Sequence, residues 1–112
     1  METKIAVARV LILEPQRIWR RLIKRQLEGF PVLIQFSGSV EGARKAIKGR
    51  KIDLLVVSGC ASRHDYSVGR DVLAFVGEVK GEYPRLKIVA TSSDYHHRDD
   101  LKKAGCDYDC CK

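Results

Sequence analysis

The stretch Ile52-Asp53-Leu54-Leu55-Val56-Val57-Ser58 decides the predicted fold. Four apolar residues in succession, without the alternation of a half-exposed strand, are typical of a parallel strand that is covered on both faces. The apolar run ends in the hydroxyl of Ser58. We therefore predict a buried strand from Ile52 to Val57, with Ser58 at its carboxyl end.

Similar apolar runs occur on both sides of this stretch. They predict further strands at Arg9–Leu13, Val32–Phe36 and Leu86–Ala90, and a last short strand around Tyr108. Segments of helical periodicity separate these runs. Strands and helices that alternate at this spacing imply right-handed crossovers and a doubly wound, parallel α/β sheet.

The predicted helices carry recognisable start and stop residues. Pro15 suits the first turn of the first helix, where its missing N–H costs nothing. Ser39, Ser67 and Asp94 are candidate N-caps of the next three helices, and Gly105 is expected to end the last one. The first helix carries one apolar stripe at three-to-four-residue spacing, formed by Ile18, Trp19, Leu22, Ile23 and Leu27.

Length and composition narrow the class of protein. The 112 residues are enough for one domain, residues 1–112. No apolar stretch approaches the ~20 residues that cross a bilayer, and the first residues lack the apolar core of a secretory signal. We expect a cytoplasmic protein without a membrane partner. Cys60, Cys106, Cys110 and Cys111 are expected to be reduced thiols, with a bridge from Cys60 to the C-terminal cluster as the alternative. A metal site is not expected, because no second spaced pair completes it.

Polar residues follow the predicted strands at their carboxyl ends. In an open parallel sheet, ligands bind at this edge, where the strand order reverses. The residues brought there are an acid, hydroxyls and an amine: Glu14, Ser58, Thr91 with Ser92, and Lys112.

Four pieces of the chain, in this order, resemble the receiver domain of response regulators. They are Arg9–Glu14, Ile52–Ser58, Lys87–Ser92 and Ala104–Lys112. The resemblance extends over nearly the whole chain. It implies a flavodoxin-like sheet of five parallel strands in the order 2-1-3-4-5, and a place in two-component signalling.

The resemblance also implies a phosphorylation site. In that family two acidic residues and an aspartate hold magnesium, the aspartate is phosphorylated, and a hydroxyl and a lysine bind the phosphoryl oxygens. Glu14 and Pro15 stand at the acidic positions, Ser58 at the acceptor, Thr91 at the hydroxyl and Lys112 at the lysine. With two of three carboxylates missing, we expect a degenerate pocket without metal, cofactor or catalytic activity.

Three further features depart from the family pattern. The loop from Gly59 to Tyr66 is about three residues longer, and the position usually held by an aromatic residue is Asp109, next to Tyr108. No sequence for a fifth helix follows Lys112, so part of one sheet face beside the first helix is expected to be bare. Such a surface indicates self-association or a domain cut from a longer protein.

The basic residues behind the net charge of +7 are expected to form solvated helix faces, and the functional interpretations divide between an acidic protein partner and a polyanion. The basic residues of the first helix are Arg17, Arg20, Arg21, Lys24 and Arg25, and those in and after the second are Arg44, Lys45, Lys48, Arg50 and Lys51. No nucleic-acid-binding motif is present, which argues against direct base readout. His64, His96 and His97 are expected to be ordinary surface residues.

Together these features predict a signalling module that is not an enzyme and does not depend on phosphorylation. It is expected to act by protein–protein interaction or as a homodimer, in a two-component or transcription-regulatory pathway. One alternative is a receiver that still switches on another input, such as a small anion held by Lys112 and Thr91. The other is a polyanion-binding protein that uses the basic faces of the first two helices.

Overall fold

The computed structural model describes residues 7–49, 51–59 and 70–111. Within these ranges the apolar runs form five strands and the periodic segments form four helices. In chain order they are β1 (Ala8–Leu13), α1 (Arg17–Gln26), β2 (Val32–Ser37), α2 (Val40–Gly49), β3 (Leu54–Ser58), α3 (Arg70–Glu82), β4 (Lys87–Thr91), α4 (Tyr95–Ala104) and β5 (Tyr108–Cys110).

The strands form one parallel sheet in the order β2-β1-β3-β4-β5, as predicted. The register aligns the carboxyl ends of neighbouring strands. Leu13 of β1 pairs with Val57 of β3, and Ser58 at the end of β3 pairs with Thr91 at the end of β4. The polar residues at the carboxyl ends of β1, β3 and β4 therefore lie in a row at one edge of the sheet.

The main hydrophobic core lies between one face of the sheet and the helices α2, α3 and α4. Alternate residues of each strand point to this face, as the pleat requires. The sheet contributes Leu11, Leu13, Leu55, Val57, Ile88 and Ala90, and the helices contribute Val40, Ala43, Ile47, Val72, Phe75, Val76, Val79 and Leu101. This face is closed, since the sheet residues in it are 0% exposed.

The opposite face is covered less completely. Among the described elements, α1 packs on this face, and none of its residues is fully buried. The apolar stripe of α1 is only partly covered: Ile18 is 66% exposed and Leu22 is 41% exposed. Part of the stripe has no neighbouring element to pack against within the described structure.

The ends of the helices test the predicted caps. The Ser39 hydroxyl accepts a hydrogen bond from the Gly42 N–H (3.1 Å), and Asp94 accepts one from the His96 N–H (2.8 Å), as predicted. Gly105 ends α4 with a φ of 137°. Pro15 is not in the first turn, because α1 begins at Arg17 with Gln16 as its N-cap. The predicted cap Ser67 lies outside the described residues.

Candidate functional site

The candidate site is the row of polar residues at the carboxyl edge of three adjacent strands. Glu14 follows β1, Ser58 ends β3 and Thr91 ends β4. Glu14 and Ser58 are 0% exposed, and Thr91 is 5% exposed. The sheet thus brings together three of the four residues predicted for this pocket. The fourth, Lys112, lies outside the described residues.

A hydrogen bond joins the first two members of the row. The Ser58 Oγ donates to Glu14 Oε1 at 3.2 Å, between groups that are both buried. The second carboxylate oxygen, Oε2, lies 3.5 Å from the Gln16 N–H, which donates to it. The backbone N–H of Glu14 donates to the Ser37 carbonyl at 2.9 Å, which fixes the chain where it leaves β1. A hydroxyl therefore fills the position beside this acid and satisfies one of its oxygens.

These residues do not fit a magnesium site of the receiver type. Magnesium prefers several oxygen ligands in octahedral geometry, usually with one or two carboxylates. In the described row, Glu14 is the one carboxylate, Pro15 has no donor side chain, and Ser58 is a neutral hydroxyl that already donates to Glu14. No group of three or more His, Cys, Asp or Glu side chains in the described ranges could hold a metal ion.

A second polar cluster lies beside the row at the start of α4. Sequence reasoning placed its Ser92 at this edge but did not predict the contact of Ser92 with His97. The Ser92 hydroxyl accepts a hydrogen bond from the Asp94 N–H (3.0 Å) and lies 3.3 Å from His97 Nδ1. The prediction of a surface histidine is wrong for His97, which is 8% exposed. The hydrogen bond from the His96 N–H lowers the pKa of Asp94.

Gly59 explains why this cluster sits so close to Ser58. A Cβ on Gly59 would lie 2.8 Å from the His97 Cβ and 2.9 Å from the Ser92 Cβ. Such distances are not tolerated between real side chains, so the backbone after β3 can approach α4 only as glycine. The one sequence signal for this contact was a glycine directly after the strand. His64 and the rest of the following loop are outside the described residues.

Tyr108 and Asp109 point to opposite faces of the sheet, as strand alternation requires. Asp109 faces α4, where Lys102 Nζ lies 3.3 Å and Arg98 Nη1 4.0 Å from its carboxylate. Tyr108 is 56% exposed. An acid that pairs with α4 therefore occupies the place that the family resemblance reserves for an aromatic residue.

The basic residues of α1 and α2 differ in their surroundings. Arg44 of α2 pairs with Glu41 and with Glu78 (3.1 Å). On α1, Arg20 is half-buried and donates to the Pro15 carbonyl (3.3 Å). The prediction that Arg20 belongs to the exposed basic face is therefore wrong. Four exposed α1 cations form no ion pair with any described acid: Arg17, Arg21, Lys24 and Arg25.

A groove of about 410 Å³ lies between α1 and the incompletely covered sheet face. We call it the apolar groove. Its sheet wall is lined by Val10, Ile12, Val32, Leu54, Val56, Val89 and Thr91, and its helix wall by Trp19, Leu22, Ile23, Gln26 and Leu27. Cys110 and Cys111 line its end and are free and exposed, whereas burial raises the pKa of the Cys106 thiol to about 12. The groove lies where the sequence predicted a bare face beside the first helix.

No family model matches the sequence, and no curated protein shows significant sequence similarity to it. Solved structures do match. A response regulator from Thermotoga maritima superposes with a TM-score of 0.78 at 21% identity, over 96% of this chain and 86% of the other. The response regulator TrrA of the same organism, solved with Mg²⁺ and BeF, gives 0.76 at 23% identity, over 94% and 86% of the two chains.

The chemotaxis response regulator CheY4 of Vibrio cholerae gives a TM-score of 0.76 at 14% identity, over 96% of this chain and 88% of the other. Identities this low establish the fold alone. The chain has the flavodoxin-like fold of response regulator receiver domains, with the strand order that the sequence predicted.

No helix in the described part of the chain is long and apolar enough to cross a membrane.

Proposed function

We propose that this chain is a receiver-like signalling module that acts by docking to another protein and is not switched by phosphorylation. One observation carries the proposal. The residue at the acceptor position is Ser58, which is 0% exposed and donates a hydrogen bond to Glu14. A receiver that transfers phosphate needs a carboxylate there, open to a phosphodonor and beside a bound magnesium ion.

The neighbouring residues support the proposal. Magnesium would neutralise the charge that develops on a transferred phosphoryl group, and the described row offers one carboxylate to hold it. Ser58 lacks the acyl chemistry of an aspartate, since a serine phosphate is a stable ester and not a mixed anhydride. The expected biochemical role is therefore that of a protein-interaction domain in a two-component or transcription-regulatory pathway.

Incubation with acetyl phosphate and Mg²⁺, followed by intact-mass spectrometry, tests this proposal. We expect no mass increase for this chain, while a phosphorylatable receiver treated in parallel gains one phosphoryl group. The variant Ser58→Ala is the matched control, because it removes the hydroxyl at the acceptor position. A mass increase that the parent shows and Ser58→Ala lacks would refute the proposal.

The exposed cations of α1 favour one second candidate, a polyanion-binding protein. They meet no described acid, and a phosphate backbone would supply the missing negative charge. Duplex DNA binding that weakens steeply with added salt, and that Arg21→Glu and Lys45→Glu each reduce, would support it. No binding at low salt would eliminate it.

A further inference from the structure

The apolar groove leaves part of a parallel sheet face without a covering element in the described structure. Val56 and Val89 are half-buried there, although they lie on central strands. Parallel sheets are normally covered on both faces, because their strands are apolar throughout. An apolar patch of this kind on a protein surface marks an interaction site.

The shape of the groove favours a helix as its occupant. Both β1 and β3 are paired on each side, so a strand cannot be added by backbone hydrogen bonds within the groove. The six residues of β1 span about 20 Å, which a helix covers with about 13 residues. Such a helix would lie on the sheet beside α1 at the usual interaxial distance of about 8–10 Å.

The margins of the groove are positively charged. Arg25 is three residues after Leu22 and therefore its neighbour on the surface of α1. Arg25 is exposed, and no described acid pairs with it. On the sheet side, the exposed Lys87 lies two residues before Val89 in β4, on the same face. An occupant with acidic flanks would be complementary to both margins.

A second copy of the chain fits the groove poorly. In a symmetric dimer each copy presents the same surface, so the basic α1 helices of the two copies would be brought together. Each chain carries a net charge of +7, and like charges across an interface oppose association. The charge distribution thus favours a different, acidic partner.

We propose that the apolar groove binds an amphipathic helix of a partner protein, with an apolar stripe that packs on the sheet and Glu or Asp residues that flank it. The stripe places residues at positions i, i+3, i+4 and i+7 between Leu22 and Val89, as in other helix-in-groove complexes. This inference depends on the proposed function in one respect, namely that the chain acts by docking. The phosphorylation test and the binding test below give independent answers.

The probe is a set of three synthetic helical peptides of about 14 residues. One has a Leu stripe flanked by Glu, the second has the same stripe flanked by Lys, and the third has the Glu flanks with Ser in place of Leu. Trp19, the single tryptophan of the chain, lines the groove and reports binding through its fluorescence. We expect saturable binding of the first peptide, at least tenfold tighter than that of either control.

Two pairs of variants locate the site. Leu22→Glu places a charge in the groove wall and is expected to weaken binding of the first peptide at least tenfold. Leu33→Glu is its matched control, since Leu33 is 57% exposed on β2 and does not line the groove. Arg25→Glu is expected to weaken binding about threefold or more, whereas Lys45→Glu on α2 leaves it unchanged.

Three results would overturn the inference. The first is that the Lys-flanked and Glu-flanked peptides bind equally well. The second is that Leu33→Glu weakens binding as much as Leu22→Glu does. The third is that light scattering shows a dimer that Leu22→Glu dissociates, which would assign the groove to a second copy. If no peptide binds while the chain also resists phosphorylation, this inference fails and the absence of phosphotransfer stands.

Discussion

The substitution Ser58→Asp places a carboxylate at the end of β3, and the structure predicts that it destabilises the protein. The Ser58 hydroxyl donates to Glu14 Oε1 at 3.2 Å, and both residues are 0% exposed. An aspartate there would replace this donor with a second negative charge. Two carboxylates that share a buried site cannot both be ionised without a large cost.

The cost can be estimated from the geometry. Two unit charges about 4 Å apart repel each other by about 4 kcal/mol at an effective dielectric constant of about 20. The variant also loses one hydrogen bond to a charged group, which contributes about 1.5–3 kcal/mol. Proteins of this size are stable by about 5–15 kcal/mol, so the loss is a large fraction of the total.

Urea unfolding at two pH values tests this prediction, with Ser58→Asn as the control of similar size and no charge. In Ser58→Asp, repulsion raises the pKa of one carboxyl of the pair above its value in the unfolded chain, about 4. The folded variant then binds an extra proton at low pH. Its stability relative to Ser58→Asn is therefore expected to fall as the pH rises from about 5 to about 7.5.

Equal stability of Ser58→Asp and Ser58→Asn at both pH values would refute the reasoning. It would mean that the two carboxyl groups do not share a buried site, and that the close approach of residues 14 and 58 is not a property of the folded chain. A stability difference that does not change with pH would show that packing, and not charge repulsion, causes the loss.

Two further predictions concern packing and an ion pair. Gly59→Ala is expected to lower the free energy of unfolding by about 1–3 kcal/mol, because the new Cβ would lie 2.8 Å from the His97 Cβ. Gly81→Ala is the control: its Cβ meets open space in α3, and it is expected to raise the free energy of unfolding by about 0.5–1 kcal/mol. Thermal unfolding measures both, and the reverse order of stability would contradict the contact between Gly59 and His97. Asp107→Asn is expected to cost about 1 kcal/mol at neutral pH, because Lys80 Nζ lies 2.6 Å from Asp107 Oδ1 and its hydrogen bond lowers the pKa of this carboxyl. The stabilisation by this ion pair is present above the ordinary pKa of an aspartate and disappears as the pH falls through the lowered pKa of Asp107. A stability difference between parent and Asp107→Asn that persists in acid would therefore rule out the ion pair as its source.

Most of the fold could be predicted from local pattern. Apolar runs such as Leu54–Val57 became strands within one or two residues of their predicted ends, and Ser39, Asp94 and Gly105 cap helices as expected. These signals are local, because burial on both faces and the geometry of a cap each select particular residue types at particular positions.

The predictions that failed depended on the tertiary arrangement. The apolar stripe of α1 could be read from its spacing, but its spacing did not show that Leu22 is 41% exposed, because no described element packs against that side of the helix. His97 was expected at the surface, but Gly59 allows the strand end to pack directly on it. Periodicity shows which residues share a face and does not show what covers that face.

The sequence by itself determined the order of strands and helices, the resemblance to receiver domains and the hydroxyl of Ser58 at the end of the third strand. Only the tertiary structure decided that Ser58 and Glu14 are buried together and joined by a hydrogen bond, and that a groove opens beside α1. The physical reason is that the tendency of a segment to form a buried strand depends on its own side chains. Burial of a pocket and exposure of a groove depend on which distant segments come to lie against them.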